Sequence, residues 1–161
     1  MHFIQLERTF YELAQNPSEA DDVEISQLSG VGHLSWTDLV QNFRVVILSE
    51  AGSGKTEEIR HTAESLRKES KAAFFLRLEH VAADFEDAFE VGGFSAFEAW
   101  KHSGDEGWLL LDSVDEARLR SPKDFELAIR KIGNQLGRTL QRAHIIITSR
   151  TTAWRTKTDL A

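Results

Sequence analysis

An eight-residue segment that follows an apolar run has the composition of a phosphate-binding loop. It reads Ser49, Glu50, Ala51, Gly52, Ser53, Gly54, Lys55 and Thr56. Its last three positions match the pattern G-x-x-x-x-G-K-[ST], whereas its first position is Ser49 instead of glycine. Glycines let backbone N–H groups turn inward around phosphate oxygens. Lys55 supplies a charge for the β- and γ-phosphates, and the Thr56 hydroxyl is a candidate Mg²⁺ ligand. Its place between a buried strand and a helix favours this function over an ordinary glycine-rich turn.

Carboxylates follow a second apolar run, which consists of leucines. Asp112 comes directly after the run, and Asp115 and Glu116 come shortly after it. Triphosphate-bound Mg²⁺ needs a carboxylate opposite the loop hydroxyl, which makes Asp112 a candidate metal ligand. One of the two later carboxylates is suited to orienting an attacking water; the competing interpretation is an acidic exposed turn. Glu57 and Glu58 suit the first turn of a helix and are expected to point outward, away from the phosphates.

A third polar segment ends a third apolar run. Thr148, Ser149 and Arg150 follow a run of isoleucines. A polar residue at the tip of the strand beside the phosphate loop is placed to sense the γ-phosphate. Arg150 is suited to stabilising charge on a transferring phosphoryl group. The competing interpretation is that Arg150 is an ordinary solvated arginine. The phosphate-binding loop and the acidic segment favour a functional role for it instead.

The elements that position these segments alternate between strands and helices. Nearly continuous apolar runs predict buried strands over residues 44–48, 72–78, 108–111 and 144–148. Helices are expected over residues 56–70 and 121–141, and one or two short helices, split at Gly92 and Gly93, over residues 81–104. This alternation predicts an α/β domain with a mainly parallel sheet, whose ligands bind beyond the carboxyl ends of the strands. Residues 1–42 are expected to form an N-terminal lead-in and residues 43–161 the domain core.

Composition and charge narrow the classes of function. The 161 residues are 41% hydrophobic and 28% charged, which fits one globular domain. A net charge of −7 argues against broad binding to nucleic acid or anionic membrane, because both reward a basic face. The absence of cysteine excludes disulfides, thiolate metal sites and a cysteine nucleophile. Because no apolar run could span a bilayer and no signal peptide is recognisable, we expect a cytoplasmic protein.

The three polar segments together resemble the NACHT-type branch of the STAND nucleotide-binding proteins. The loop is one residue from the Gly-Glu-x-Gly-Ser-Gly-Lys-Thr that is usual in that group. Residues 110–116 resemble its Walker B motif, and residues 147–150 resemble its Thr-Ser-Arg sensor. The resemblance implies a three-layer P-loop NTPase core with a mainly parallel sheet, of the additional-strand, catalytic-glutamate type. Residues 74–78 would form the additional strand.

The resemblance also implies roles for individual residues and for the whole domain. The implied roles are phosphate binding for Lys55, Mg²⁺ binding for Thr56 and Asp112, catalytic base for Glu116 with Asp115 assisting, and γ-phosphate sensing for Arg150. The implied cofactors are ATP, or another nucleoside triphosphate, and Mg²⁺. The implied function is slow ATP hydrolysis in a signalling switch, such as a bacterial defence sensor that forms homo-oligomers when activated.

Other interpretations remain open at this point. Family members continue into a fifth strand, a helical lid and a winged helix, so we expect this chain to be incomplete at its C-terminus. A nucleotide-dependent regulatory or assembly module would bind nucleotide without steady hydrolysis. A GTPase is a weaker alternative, because Thr156-Lys157-Thr158-Asp159 matches [NT]-K-x-D but does not directly follow an apolar strand, and an Asp-x-x-Gly motif is missing.

Overall fold

The computed structural model describes residues 8–11, 33–49, 52–112 and 122–150. The chain divides into two compact units, Met1–Asn42 and Phe43–Ala161. In the first unit, Phe10 and Leu34 form an antiparallel bridge. Helix α1 (Trp36–Leu39) follows and is capped by Ser35. The backbone N–H and the hydroxyl of Ser35 donate hydrogen bonds to Asp38, and these bonds lower the pKa of that carboxyl.

The second unit is built on a five-stranded, mostly parallel sheet. Its strands are β1 (Arg44–Ser49), β2 (Ala72–Arg77), β3 (Phe89–Val91), β4 (Gly107–Asp112) and β5 (Ala143–Arg150). Their order across the sheet is β1-β5-β4-β2-β3, and only the β2–β3 pair is antiparallel. The predicted α/β class with a mainly parallel sheet is therefore confirmed, with four of the strands close to the apolar runs.

Helices flank the sheet. They are α2 (Lys55–Lys68), α3 (Leu78–Ala83), α4 (Phe94–His102) and α5 (Pro122–Leu136), with short 3₁₀ helices at Glu86–Ala88 and Gly137–Arg142. The prediction that the last helix runs to residue 141 is thus wrong in its final turn. Gly137 has a φ of 49°, in the left-handed region, which ends the regular α-helix there.

Alternation along the strands divides the core between the two faces of the sheet. Leu109 and Leu111 belong to the cluster that contains the buried residues of α3, α4 and α5. Leu110 points to the opposite face because successive side chains of a strand alternate. Helix α2 covers that face with a buried stripe of Ile59, Ala63 and Leu66. Strand β4 is buried along its whole length, as its continuous apolar run requires. Strand β1 lies at the edge of the sheet and only its Ile47 is buried, so the prediction of a buried strand over residues 44–48 is wrong in its burial.

One strand differs from the prediction. Strand β3 lies in the region for which the sequence predicts only short helices, and it pairs with β2 at the edge of the sheet. It has three residues, which is too short for an alternating pattern to be recognised. Gly92 follows it with a φ of 99°, and a Cβ atom there would lie 2.5 Å from Cδ1 of Phe74. The close approach to Phe74 therefore requires glycine at the turn after β3.

Gly107→Ala is expected to lower the free energy of unfolding by about 2 kcal/mol. A Cβ atom at Gly107 would lie 2.5 Å from Cζ2 and 2.6 Å from Nε1 of the buried Trp100. The indole would have to move, although its N–H donates to the carbonyl of Asp105 at 3.0 Å. Denaturant unfolding measures the effect. The matched control is Gly104→Ala, where a Cβ atom would meet no heavy atom of the described residues within 4 Å apart from its chain neighbours. An equal loss in both variants would contradict the steric reason.

None of the helices in the described part of the chain combines the length and the apolar character that crossing a membrane requires.

Candidate functional site

The three polar segments meet at one edge of the sheet. Strands β1, β5 and β4 are adjacent and parallel, so their carboxyl ends lie at the same edge. The pairing register brings Ser49 beside Arg150 and Asp112 beside Thr148. The strand that ends in Arg150 thus lies between the strand that leads into the loop and the strand that ends in Asp112. This arrangement agrees with the expectation that the arginine-bearing strand lies beside the loop strand.

The loop after β1 has the backbone shape that its glycines allow. Gly52 and Gly54 have φ values of 73° and 77°, in the left-handed region that other residues rarely adopt. Helix α2 begins directly after Gly54, so its positive end and its first N–H groups face the loop. The Ser49 hydroxyl lies 3.2 Å from the hydroxyl of Ser53. The serine that replaces the usual first glycine is thereby accommodated by a contact within the loop.

Lys55 connects the tips of two strands. Its ammonium group donates to the carbonyl oxygens of Ser49 and Ser149, each at 3.3 Å. The first carbonyl ends β1 and the second belongs to β5, so the lysine charge is held at the edge where the loop begins. An ammonium group has three donors and a flexible stem, which suits binding to phosphate oxygens.

A hydrogen-bonded group joins the loop helix to the acidic strand. The Thr56 hydroxyl donates to Oδ2 of Asp112 at 2.6 Å, and the Thr148 hydroxyl donates to Oδ1 at 2.6 Å. Asp112 is 3% exposed and Thr148 is 1% exposed. Each carboxylate oxygen therefore accepts one hydroxyl proton, which lowers the cost of burying its charge. The rotation of the Asp112 carboxylate is constrained from both sides.

The donor set of this group fits a magnesium ion. Mg²⁺ takes oxygen ligands and is usually held by one or two protein groups together with substrate phosphates and water. Because the Thr56 proton points to Asp112, the lone pairs of the hydroxyl oxygen can face a cation. Within the residues that the structure describes, no cluster of three or more histidine, cysteine or acidic side chains offers an alternative metal site.

Arg150 lies on the same face of the sheet as Thr148, because the two residues are two positions apart on β5. It is half-buried and lies beside Ser49 in the strand register. The arginine is therefore positioned at the edge of the sheet where Lys55 and Thr56 also lie.

The expected orientation of Glu58 is wrong. Glu57 has a side chain that is 61% exposed, as expected, whereas Glu58 is 5% exposed and buried. Successive residues of a helix differ by about 100° in direction. Glu57 therefore lies nearly opposite the stripe that contains Ile59, and Glu58 lies at the side of that stripe, close to the sheet. The periodicity of the stripe could have predicted that Glu58 is less exposed than Glu57, because only positions on the side of the helix opposite the stripe are fully solvated.

Three residues near the site have no role that the sequence predicts. Thr148 belongs to the third polar segment, and its hydroxyl holds Asp112 through a hydrogen bond. Arg77 ends β2 and lies beside Asp112 in the register, and its Nε lies 2.6 Å from Oε1 of Glu90 on β3. Arg77 carried the same signal as Asp112 and Arg150, namely a charged residue at the end of an apolar strand. Glu90 carried no signal, because its role depends on the pairing of β3 with β2.

Four of the predicted site residues lie outside the described part of the chain. They are Glu50 and Ala51 of the loop, and Asp115 and Glu116 after β4. The segment from Thr156 to Asp159, on which the GTPase alternative depends, also lies outside it. The roles suggested for these residues stay predictions.

Comparison with known proteins finds no family model that matches the chain and no significant match among curated proteins.

Proposed function

We propose that this chain is a Mg²⁺-dependent ATP-binding domain of the STAND/NACHT-like P-loop type, which hydrolyses the nucleotide slowly. The observation that carries the proposal is the 2.6 Å hydrogen bond between the Thr56 hydroxyl and Asp112. It joins two residues that are far apart in the sequence, and the sequence predicts Asp112 to be the carboxylate that faces the loop hydroxyl at a Mg²⁺ ion. A hydrogen bond between a threonine and a buried carboxylate is not expected at an ordinary glycine-rich turn.

The surroundings of this hydrogen bond support a phosphate ligand. Gly52 and Gly54 adopt left-handed backbone conformations, and the positive end of α2 faces the same loop. Lys55 and Arg150 add two cationic side chains at the same edge of the sheet. Together these groups offer positive charge and N–H donors to an anion that also carries a divalent cation.

Each side chain of the site has a distinct task in this proposal. Lys55 binds the β- and γ-phosphate oxygens, Thr56 and Asp112 hold the cation, and Arg150 contacts the γ-phosphate. When bound, Mg²⁺ neutralises charge on the phosphate oxygens. Thr148 keeps the Asp112 carboxylate in one orientation through its 2.6 Å hydrogen bond. Glu116, with Asp115 assisting, is the proposed base that takes the proton of the attacking water.

The wider role is proposed from the motif resemblance. We propose a signalling switch that couples nucleotide binding to assembly, in which lid and winged-helix segments beyond this core hold the nucleotide and transmit its state. A cytoplasmic location belongs to the same proposal. If the wild type binds ATP but shows no steady turnover, the non-hydrolysing regulatory module replaces the ATPase.

Thr56→Val tests the proposal most directly. The substitution keeps the shape of the side chain and removes the hydroxyl, so we expect ATP affinity in the presence of Mg²⁺ to fall by about 30-fold. Affinity in the presence of a chelator should stay unchanged, because the hydroxyl acts through the cation. Titration of fluorescently labelled ATP and GTP, with and without Mg²⁺, measures both affinities and also decides the base preference.

Two further variants control for a general effect on α2. Thr62→Val removes a hydroxyl from the same helix, where it donates to the Glu58 carbonyl at 2.8 Å, and should bind Mg²⁺–ATP as the wild type does. Thr56→Ser keeps the hydroxyl and should restore most of the affinity. A wild type that binds neither nucleotide, or a Thr56→Val variant with full Mg²⁺ dependence, would overturn the proposed site.

A further inference from the structure

A guanidinium group lies next to the carboxylate that we assign to the metal. Arg77 and Asp112 are direct partners in the parallel register of β2 and β4, and neighbouring strands lie about 4.8 Å apart. Both side chains point to the face that α2 covers. Asp112 accepts a hydrogen bond from the Thr56 hydroxyl of α2. Phe75 lies two residues before Arg77, and the centroid of its ring lies 5.5 Å from Cζ of Arg60 on α2. Arg77 could therefore reach Asp112.

Arg77 nevertheless pairs with a different carboxylate. Its Nε lies 2.6 Å from Oε1 of Glu90, which belongs to β3 on the other side of β2. Among the described residues, Glu90 is the only acidic partner that Arg77 has within ion-pair distance. The Asp112 carboxylate is thus left to the hydroxyl groups of Thr56 and Thr148.

A second arginine holds Glu90 in place. Oε2 of Glu90 lies 2.6 Å from Nη2 of Arg60, whose Nη1 lies 2.8 Å from Oε1 of Glu57. The hydrogen bond to Glu90 raises the pKa of the Arg60 guanidinium above its ordinary value. The charges of Glu57, Arg60, Glu90 and Arg77 therefore alternate from the first turn of α2 to the end of β2. The side chains of Arg60, Glu90 and Arg77 are each 22–27% exposed, so solvent screens their charges only in part.

The alternation has a consequence for metal binding. A guanidinium and a carboxylate form strong, frequently bidentate pairs, and such a pair would occupy the oxygens that a cation needs. We propose that Glu90 is a positioning residue that holds Arg77 away from Asp112 and so keeps this carboxylate available to a divalent cation. The inference rests on the proposed function for the identity of the cation site, but the position of Arg77 can be tested without nucleotide.

Glu90→Gln is the variant that tests the inference. The amide cannot balance the charge of Arg77, so the guanidinium is expected to turn to Asp112 and compete with Mg²⁺. The Mg²⁺ concentration that half-saturates ATP binding should rise by about tenfold, the scale on which indirect ligand partners act. Fluorescent ATP titrated at a series of Mg²⁺ concentrations measures this value.

A double-mutant cycle separates this mechanism from the loss of a nearby negative charge. Arg77→Met removes the competitor, so Glu90→Gln should have no effect in that background. Equal shifts in both backgrounds would show that only the lost charge matters and would overturn the proposal. Glu98→Gln is the matched control, because Glu98 is a half-exposed carboxylate paired with Lys101 at 2.9 Å on α4 and its loss changes the net charge equally.

A crystal structure of nucleotide-free Glu90→Gln supplies a readout that does not depend on ATP binding. The proposal expects a guanidinium nitrogen of Arg77 within 4 Å of an Asp112 carboxylate oxygen. An Arg77 side chain that stays beside position 90 would overturn the inference and leave the proposed ATP site intact. If the wild type fails to bind ATP, the proposed function fails, while the crystal structure still decides whether Glu90 positions Arg77.

Discussion

Lys55→Ala is expected to weaken ATP binding by about 100-fold, because it removes the charge that the proposed function assigns to the phosphates. The ammonium group is already held by the carbonyl oxygens of Ser49 and Ser149, so little reorganisation is needed before it meets a ligand. Unlike the loss of the Thr56 hydroxyl, the loss of this charge should weaken binding both with and without Mg²⁺. Isothermal titration calorimetry with ATP measures the change under both conditions.

Lys68→Ala is the matched control for this prediction. Lys68 lies in the last turn of the same helix and is exposed, so the variant loses the same charge far from the loop. It should bind ATP as the wild type does. Thermal unfolding of both variants shows whether the hydrogen bonds lost with Lys55 destabilise the fold. Equal ATP affinities for the wild type and a folded Lys55→Ala protein would contradict the assignment of the loop.

Glu116→Gln is expected to reduce steady ATP turnover by about 100-fold or more and to leave ATP affinity unchanged. Glutamine has the size of glutamate but cannot accept the proton of the attacking water. Binding should persist because phosphate and cation binding are assigned to Lys55, Thr56 and Asp112. Phosphate release under saturating Mg²⁺–ATP measures turnover, and the labelled-ATP titration measures affinity.

The control for Glu116 is Glu126→Gln, which removes an exposed carboxylate of α5 and changes the net charge equally. Its turnover should equal that of the wild type. Retained turnover in Glu116→Gln would exclude this residue as the base. The result thus distinguishes an ATPase from a site that binds nucleotide for another purpose, because a wild type without steady turnover has no hydrolysis to lose.

Most of the sheet could be predicted from the chain itself. Buried strands require continuous apolar runs, and the runs around Ile47, Phe75, Leu110 and Ile146 correspond to β1, β2, β4 and β5. The short edge strand could not be predicted, because three residues carry too little periodicity. Its pairing with β2 is decided by contacts between distant segments, and Glu90 obtains its role only through that pairing.

The candidate site divides in the same way. The spacing of Gly54, Lys55 and Thr56 after an apolar run indicated a phosphate loop, and the rule that parallel strands end at one edge indicated that Asp112 and Arg150 would lie near it. The hydrogen bond from Thr148 to Asp112 could not be predicted, because it depends on which strands are neighbours and in which register.

The sequence by itself determined the α/β class, the polar or charged residues at the strand ends and the presence of a glycine-containing loop before a helix. These properties depend on local spacing, which the chain encodes within a few residues. Only the tertiary structure decided the register in which β5 pairs with β1 and β4, the burial of Glu58 and the pairing of Arg77 with Glu90 instead of Asp112. Those outcomes depend on packing and charge balance between distant segments, and no local pattern contains them.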